Sequence, residues 1–170
     1  MKTFKQFIDD IPELDESSMS RIKAQSDKGG TAVMSASRGN LSKKENRARA
    51  KKLDRDIRGK FGKGATKVTG KYDEKDEKTG ETKRVKERSH VIQSGKMGKR
   101  KFKKAVKSLG KKYGQDSVIT QQKGDKSATL KRTRKGGLPK RNIKLGKMRP
   151  GRSGENETQK KGKTFTYDTK

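Results

Sequence analysis

Apolar residues are sparse along this chain, and they recur at two spacings. Ala50, Leu53, Ile57 and Phe61 fall on one face of a helix, and Phe102, Ala105, Val106, Leu109 and Tyr113 do so again. Ser42-Lys43-Lys44-Glu45 fits the capping box that opens the first of these helices, and Gly59 and Gly62 mark its end. The second is expected from about Gly98 to Tyr113. Between them, Ala65 to Tyr72 alternates with Val68, Gly70 and Tyr72 on one side, as a half-buried strand does. Asp73 to Thr82 is charged and holds Gly80, so it reads as a hairpin loop returning into a strand from Val85 to Ile92. Ser117 to Gln121 and Ala128 to Leu130 add two short strands that turn at Gly124-Asp125. The expected fold class is therefore α+β: a small single domain of order α-β-β-α-β-β with one sheet, flanked by disordered basic tails.

The flanks set the expected boundaries. Residues 1–16 are acidic, with Phe4, Phe7 and Ile8 on one face of a short helix that Pro12 would end. Residues 17–41 are rich in Ser, Gly, Lys and Ala, contain Gly29-Gly30 and read as a flexible linker. The domain spans 42–131. Residues 132–170 read as a disordered basic tail, because Lys131 to Arg152 holds ten cations, no anion, and repeated Gly and Pro.

Charge changes the picture most. The chain carries 49 Lys and Arg against 20 Asp and Glu, a formal net charge of +29 over 170 residues, and 24% of its residues are hydrophobic. Such a chain buries one small core and is attracted to polyanions through counterion release. Lys96 to Lys112 has nine cations and no anion, which makes the outer face of the second helix a basic ridge. The candidate nucleic-acid contacts are Lys99, Arg100, Lys103, Lys104, Lys107 and Lys111 on that ridge. Arg132, Arg134, Lys135, Lys140 and Arg141 extend them into the tail. The absence of Cys excludes disulfides and thiolate chemistry, and no apolar run is long enough to span a membrane.

Catalytic chemistry is hard to find in the sequence. His90 is the sole histidine and has no metal-ligand spacing around it. Ser89 and His90 are adjacent on a strand, so they point to opposite faces and do not form a nucleophile–base pair. Glu87 shares a face with Ser89 and Val91, but a lone carboxylate is not a catalytic pair. Gly59 to Gly64 follows a helix and precedes a strand, the reverse of a phosphate loop. No enzyme, no cofactor and no metal are expected.

Two resemblances add to this. MKTFKQFI resembles the N-terminal capsid-targeting peptide of internal head proteins of T-even-type tailed phages. In that family the prohead protease cuts after Glu in a Leu/Ile-x-Glu pattern before a small residue, which Leu14-Asp15-Glu16 before Ser17 fits. The resemblance implies a protein directed to the prohead scaffold by residues 1–16 and processed after Glu16. It would then be packaged in the capsid interior with DNA through backbone contacts, and injected into the host cytoplasm to meet a host protein. Gly70-Lys71-Tyr72, Glu87-Arg88-Ser89-His90-Val91 and Tyr113-Gly114-Gln115-Asp116-Ser117 resemble an uncharacterised domain of bacteria and phages, which implies no activity. The alternatives are a cytoplasmic nucleic-acid-binding accessory protein of ribosomal or nucleoid type, and a structural virion protein.

Overall fold

The computed structural model describes residues 19–75, 78–136, 139–151, 157–160 and 163–167. The targeting residues Phe4, Phe7 and Ile8 and the cleavage-site residues Leu14, Glu16 and Ser17 lie outside them. The described helices are α1 (Met19–Lys28), α2 (Lys43–Phe61) and α3 (Lys99–Lys112). The strands are β1 (Thr31–Ser35), β2 (Thr66–Lys75), β3 (Thr82–Gln93), β4 (Ser117–Gln121) and β5 (Ala128–Arg132), then β6 (Ile143–Gly146), β7 (Met148–Pro150), β8 (Glu157–Lys160) and β9 (Lys163–Tyr167).

The strands form one antiparallel sheet in the order β6-β5-β4-β1-β3-β2-β8-β9-β7. β6 and β7 are consecutive in the chain, yet they stand at opposite ends of that order. The sheet has curled until its two edges nearly meet, as an almost closed barrel. Closure removes most of the unpaired edge that a long open sheet would expose.

β1 is the central strand, buried on both faces. On the outer face, Ala32, Met34 and Ala36 join Ile92 beneath α2 and α3, which contribute Leu53, Ile57, Phe102, Val106 and Leu109. Each fully buried side chain of this size contributes about 1.5–3 kcal/mol, and Phe61 adds an edge-to-face contact to Phe102 at 5.6 Å. On the inner face, Val33 meets Val68, Val91, Met148 and Phe165 inside the barrel, with Ile22 of α1 closing one mouth. Ser26 of α1 donates its hydroxyl to the Ile22 carbonyl and lies 3.1 Å from the Thr31 hydroxyl, which ties the plug to the start of β1.

The local signals at the helices are met. Ser42 and Glu45 exchange the two capping-box hydrogen bonds, and Gly62 ends α2 in the left-handed region at φ 70°. The fold class, by contrast, is corrected. The molecule is mostly sheet, a nine-stranded barrel among the described residues with three helices, and not a small α-β-β-α-β-β domain between disordered tails. The small residues of the expected linker serve close packing instead of flexibility. A Cβ on Gly30 would lie 3.1 Å from the Phe102 ring and 3.2 Å from Ser94, so the chain passes there only without a side chain. In the expected tail, Met148 and Phe165 are buried in the barrel; β8 and β9 find backbone partners on both sides, and β6 and β7 on one side each, from β5 and β9. Those hydrogen bonds come from long-range pairing, which composition does not register.

His90 lies on the outer face of β3 beneath α2, with no exposed surface and neither ring nitrogen hydrogen-bonded. Burial lowers its pKa to about 4, against the attraction of Asp54 and with the help of Lys67 and Arg88. The folded chain thus keeps His90 neutral where the unfolded chain protonates it. Stability is complete above about pH 6.5 and declines as pH falls towards 4, by ~3 kcal/mol in total. Thermal melts between pH 4 and 8 should show this loss, and His90→Leu should flatten that part of the profile. An unchanged slope in the variant would assign the acid sensitivity to other groups.

Candidate active site

The barrel interior is filled at the α1 end and hollow at the other. A cavity of about 340 Å³ opens there, bounded by residues from β1, β2, β3, β4, β5, β6, β8 and β9, at the small end of the roughly 300–1,000 Å³ typical of small-molecule sites. Strand alternation determines what points in. On β3, Glu87 and Ser89 face the cavity while His90 faces out. On β2, Gly70 and Tyr72 line it.

Register then brings these groups together. Gly70 stands directly opposite Glu87, and Val68 opposite Ser89. A Cβ on Gly70 would lie 3.0 Å from the Ser89 hydroxyl and 3.6 Å from Cγ of Glu87. The missing side chain lets the Ser89 hydroxyl and the Glu87 side chain lie close against the β2 backbone. Among the described lining residues, Glu87 is the sole acid and Lys71 the sole base. The walls are apolar and aromatic: Val33, Ile119, Leu130 and Leu145 on one side, Phe165 and Tyr167 on the other. The two rings of β9 meet edge to face at 5.9 Å, and burial pushes the Tyr167 phenol up, so it stays protonated.

The rim is held from outside the barrel. Ser35 donates its hydroxyl to the Arg88 carbonyl at 2.9 Å and accepts from the Ser37 amide at 3.0 Å, turning the chain away at the end of β1. Gln115 lines the cavity and donates Nε2 to the Ser37 carbonyl at 3.0 Å. From α2, Arg49 donates to the carbonyls of Ala36 and Tyr113 at 2.7 and 2.5 Å, and Asn46 clasps the Arg38 backbone through both of its amide atoms. The Tyr113 hydroxyl donates to Asp56 at 2.6 Å, and Asp56 also pairs with Lys112 at 2.8 Å. Those two contacts, Lys112 first, hold the Asp56 carboxyl below its ordinary range. The two segments flanking the mouth, 35–38 and 113–117, are thereby fixed to one another and to α2. Such anchoring holds a site in place before a ligand arrives.

The residues expected to touch nucleic acid lie elsewhere. Lys99, Arg100, Lys103, Lys104, Lys107 and Lys111 are exposed along α3, on the far side of its buried stripe. Arg134 pairs with Asp116, Arg132 donates to the Lys140 carbonyl, and Lys135, Lys140 and Arg141 are exposed. None of the eleven lines the cavity. Glu87, set aside in the sequence as a lone carboxylate, is the charged centre of the barrel. Its inward position follows from alternation with Ser89 and Val91. Its proximity to Gly70 needs the hairpin register, and the place of Phe165 and Tyr167 in the wall needs the pairing of β9 with β8 and β7. Among the described residues, no group of three or more His, Cys, Asp or Glu could hold a metal, and no helix is long and apolar enough to cross a membrane.

Comparison with known proteins supplies the class. Residues 32–170 match the model of the S-Adenosylmethionine lyase family. No curated protein matches this chain. Among solved structures, a phage SAM lyase in complex with S-methyl-5′-thioadenosine is similar at 16% identity, over 70% of this chain and 91% of that one, with a TM-score of 0.36. The family match overturns the internal-head-protein expectation and the non-enzymatic class. It equally replaces the nucleic-acid-binding and structural-virion alternatives. Those expectations weighed surface charge, whereas the family match covers residues 32–170, every cavity-lining residue among them.

Proposed function

The chain belongs to the S-adenosylmethionine lyase family, and from that premise we propose that it cleaves S-adenosylmethionine in the barrel cavity, releasing S-methyl-5′-thioadenosine. The observation that carries this reading is the family match across residues 32–170, within which the whole lining of the cavity falls.

The chemistry suits an apolar chamber with one carboxylate. S-adenosylmethionine carries a sulfonium, an ammonium and a carboxylate. In a cleavage without water, the substrate's own carboxylate attacks the carbon γ to it, a C–O bond forms, and the C–S electron pair returns to sulfur. The products are the neutral thioether and a protonated amino-lactone, so atoms and charge balance with no external acid, base or electron carrier. The step annihilates a positive and a negative charge, and removal from water favours it because the separated charges lose solvation. Folding the methionyl chain into a five-membered near-attack geometry contributes further.

Glu87 receives the substrate ammonium, which is unchanged in the reaction, and thereby orients the chain whose carboxylate must turn on itself. The adenine packs against the apolar wall of the cavity beside Tyr167. Ser89 and Gln115 border the polar end. Neither a histidine nor a second carboxylate is needed, which accounts for the lack of a recognisable catalytic motif.

Incubation of the purified chain with S-adenosylmethionine, followed by chromatography and mass spectrometry, should show S-methyl-5′-thioadenosine formed mole for mole with substrate lost. In ¹⁸O-water the amino-lactone should carry no label when first formed. Label in the first product would make the reaction a hydrolysis, and absence of the thioether would remove the proposal.

A further inference from the structure

Positive charge that the proposed reaction does not use is gathered beside the site. Lys43, Arg47 and Lys51 follow at intervals of four along α2 and share one face, with Lys44 adjoining. Lys86 and Arg88 alternate on the outer face of β3 and confront them. These six exposed cations line two joined concavities of about 750 and 390 Å³. The two share Lys43, Arg47 and Arg88, and the second reaches Tyr72 and Glu87, which also line the barrel cavity.

Elsewhere the acids are spent on neighbours: Lys23 pairs with Asp27, Arg58 and Lys67 with Asp54, and Lys112 with Asp56. Among the described residues, no carboxylate forms an ion pair with any of the six groove cations. Glu45, in the midst of them, is turned back to accept the Ser42 amide at 2.8 Å. Like charges facing one another across a concave surface repel, and the field they focus is strongest in the groove.

We propose that this groove binds a compact polyphosphate anion and that its occupancy raises the affinity of the neighbouring cavity for substrate. The regulatory part rests on the reading of the cavity as the S-adenosylmethionine site. That substrate is a net cation approaching a chain of net charge +29, and it must settle at Glu87 on the edge of the groove. An anion there cancels the opposing field, so that the attraction of Glu87 reaches the incoming cation. The size favours a small ligand: the cation row from Lys43 to Lys51 covers eight residues of helix, about 12 Å, the reach of one polyphosphate chain and far short of a stretch of duplex.

Sodium tripolyphosphate is the probe. Calorimetry on the full chain should show saturable one-to-one binding, weakened at least about 10-fold by Arg47→Glu with Lys51→Glu. Both positions are exposed on the helix surface, and circular dichroism checks that the variant folds. Tripolyphosphate should lower KM several-fold with kcat unchanged. The double variant should show a lowered KM without the anion and no further response. Absence of saturable binding overturns the proposal, as does an equal KM change from sodium chloride at matched ionic strength. Binding of a duplex oligonucleotide where tripolyphosphate fails would also overturn it, reassigning the groove to a nucleic-acid backbone. Calorimetry needs no substrate, so failure of the binding site and failure of the cleavage reaction are read separately.

Discussion

Glu87→Gln should reduce kcat/KM for S-adenosylmethionine cleavage by about 10- to 100-fold, the equivalent of the roughly 1.5–3 kcal/mol that a charge-assisted hydrogen bond contributes over a neutral surrounding. The substitution keeps the shape of the side chain and removes its charge. Glu87 is the sole acid among the described residues around the cavity, so no neighbour replaces it. Most of the loss should appear in KM, because the ammonium it holds is present equally in ground and transition states. A smaller drop in kcat should accompany it as the methionyl chain loses orientation. The melting temperature should stay close to that of the parent, since the position lies on the wall of a hollow and outside both buried clusters. Steady-state kinetics with a thermal melt on the same preparation checks both. A variant with undiminished kcat/KM would place the substrate elsewhere.

Gly70→Val should abolish most activity, on the order of 100-fold or more, and lower the melting temperature. Gly70 does not have the positive φ that requires glycine, so its backbone accepts any L-residue, and a glycine within a strand ordinarily weakens it. What its absent side chain permits is the close approach of Ser89 and Glu87 to β2. The first carbon added would lie 3.0 Å from the Ser89 hydroxyl, and the branches beyond it would enter the volume beside Glu87. Overpacking of this kind costs about 1–3 kcal/mol in the folded protein, and the gain in strand propensity offsets part of that cost. The expected result is loss of cleavage and of thioether binding together with a lowered melting temperature, with Gly70→Ala intermediate in both. Full activity in Gly70→Val would show that substrate does not pack against this part of the β2–β3 wall.

Local structure was legible in the sequence where interactions are short-range. The stripe Ala50, Leu53, Ile57 and the Ser42–Glu45 box specify α2 because helix contacts span three or four residues. The same holds for α3, whose buried Phe102, Val106 and Leu109 recur at that period. β4 was read at its observed bounds, Ser117–Gln121. The barrel was not legible, because it depends on which strands pair. β1 is central through partners some 60 and 90 residues away, at His90 and at Thr120. Its Ala and Ser side chains look like linker composition until β3 and β4 flank them. β8 and β9 likewise bring Phe165 into the barrel only through their pairing with β2 and β7.

The site was half legible for the same reason. Glu87, Ser89, Gly70 and Tyr72 were each assigned to the strand that carries them, and alternation placed them in pairs on one face. The register Gly70↔Glu87, which makes a cavity of them, is a property of the folded hairpin. Net charge misled because it describes the surface. A reaction that quenches charge in a sheltered chamber leaves little trace in composition.

The most direct test of the central claim is a crystal structure of the protein grown with S-methyl-5′-thioadenosine. The adenine should lie against the apolar wall beside Tyr167, and the thioether sulfur near Glu87. A thioether seated in another concavity, with the barrel cavity left empty, would contradict it.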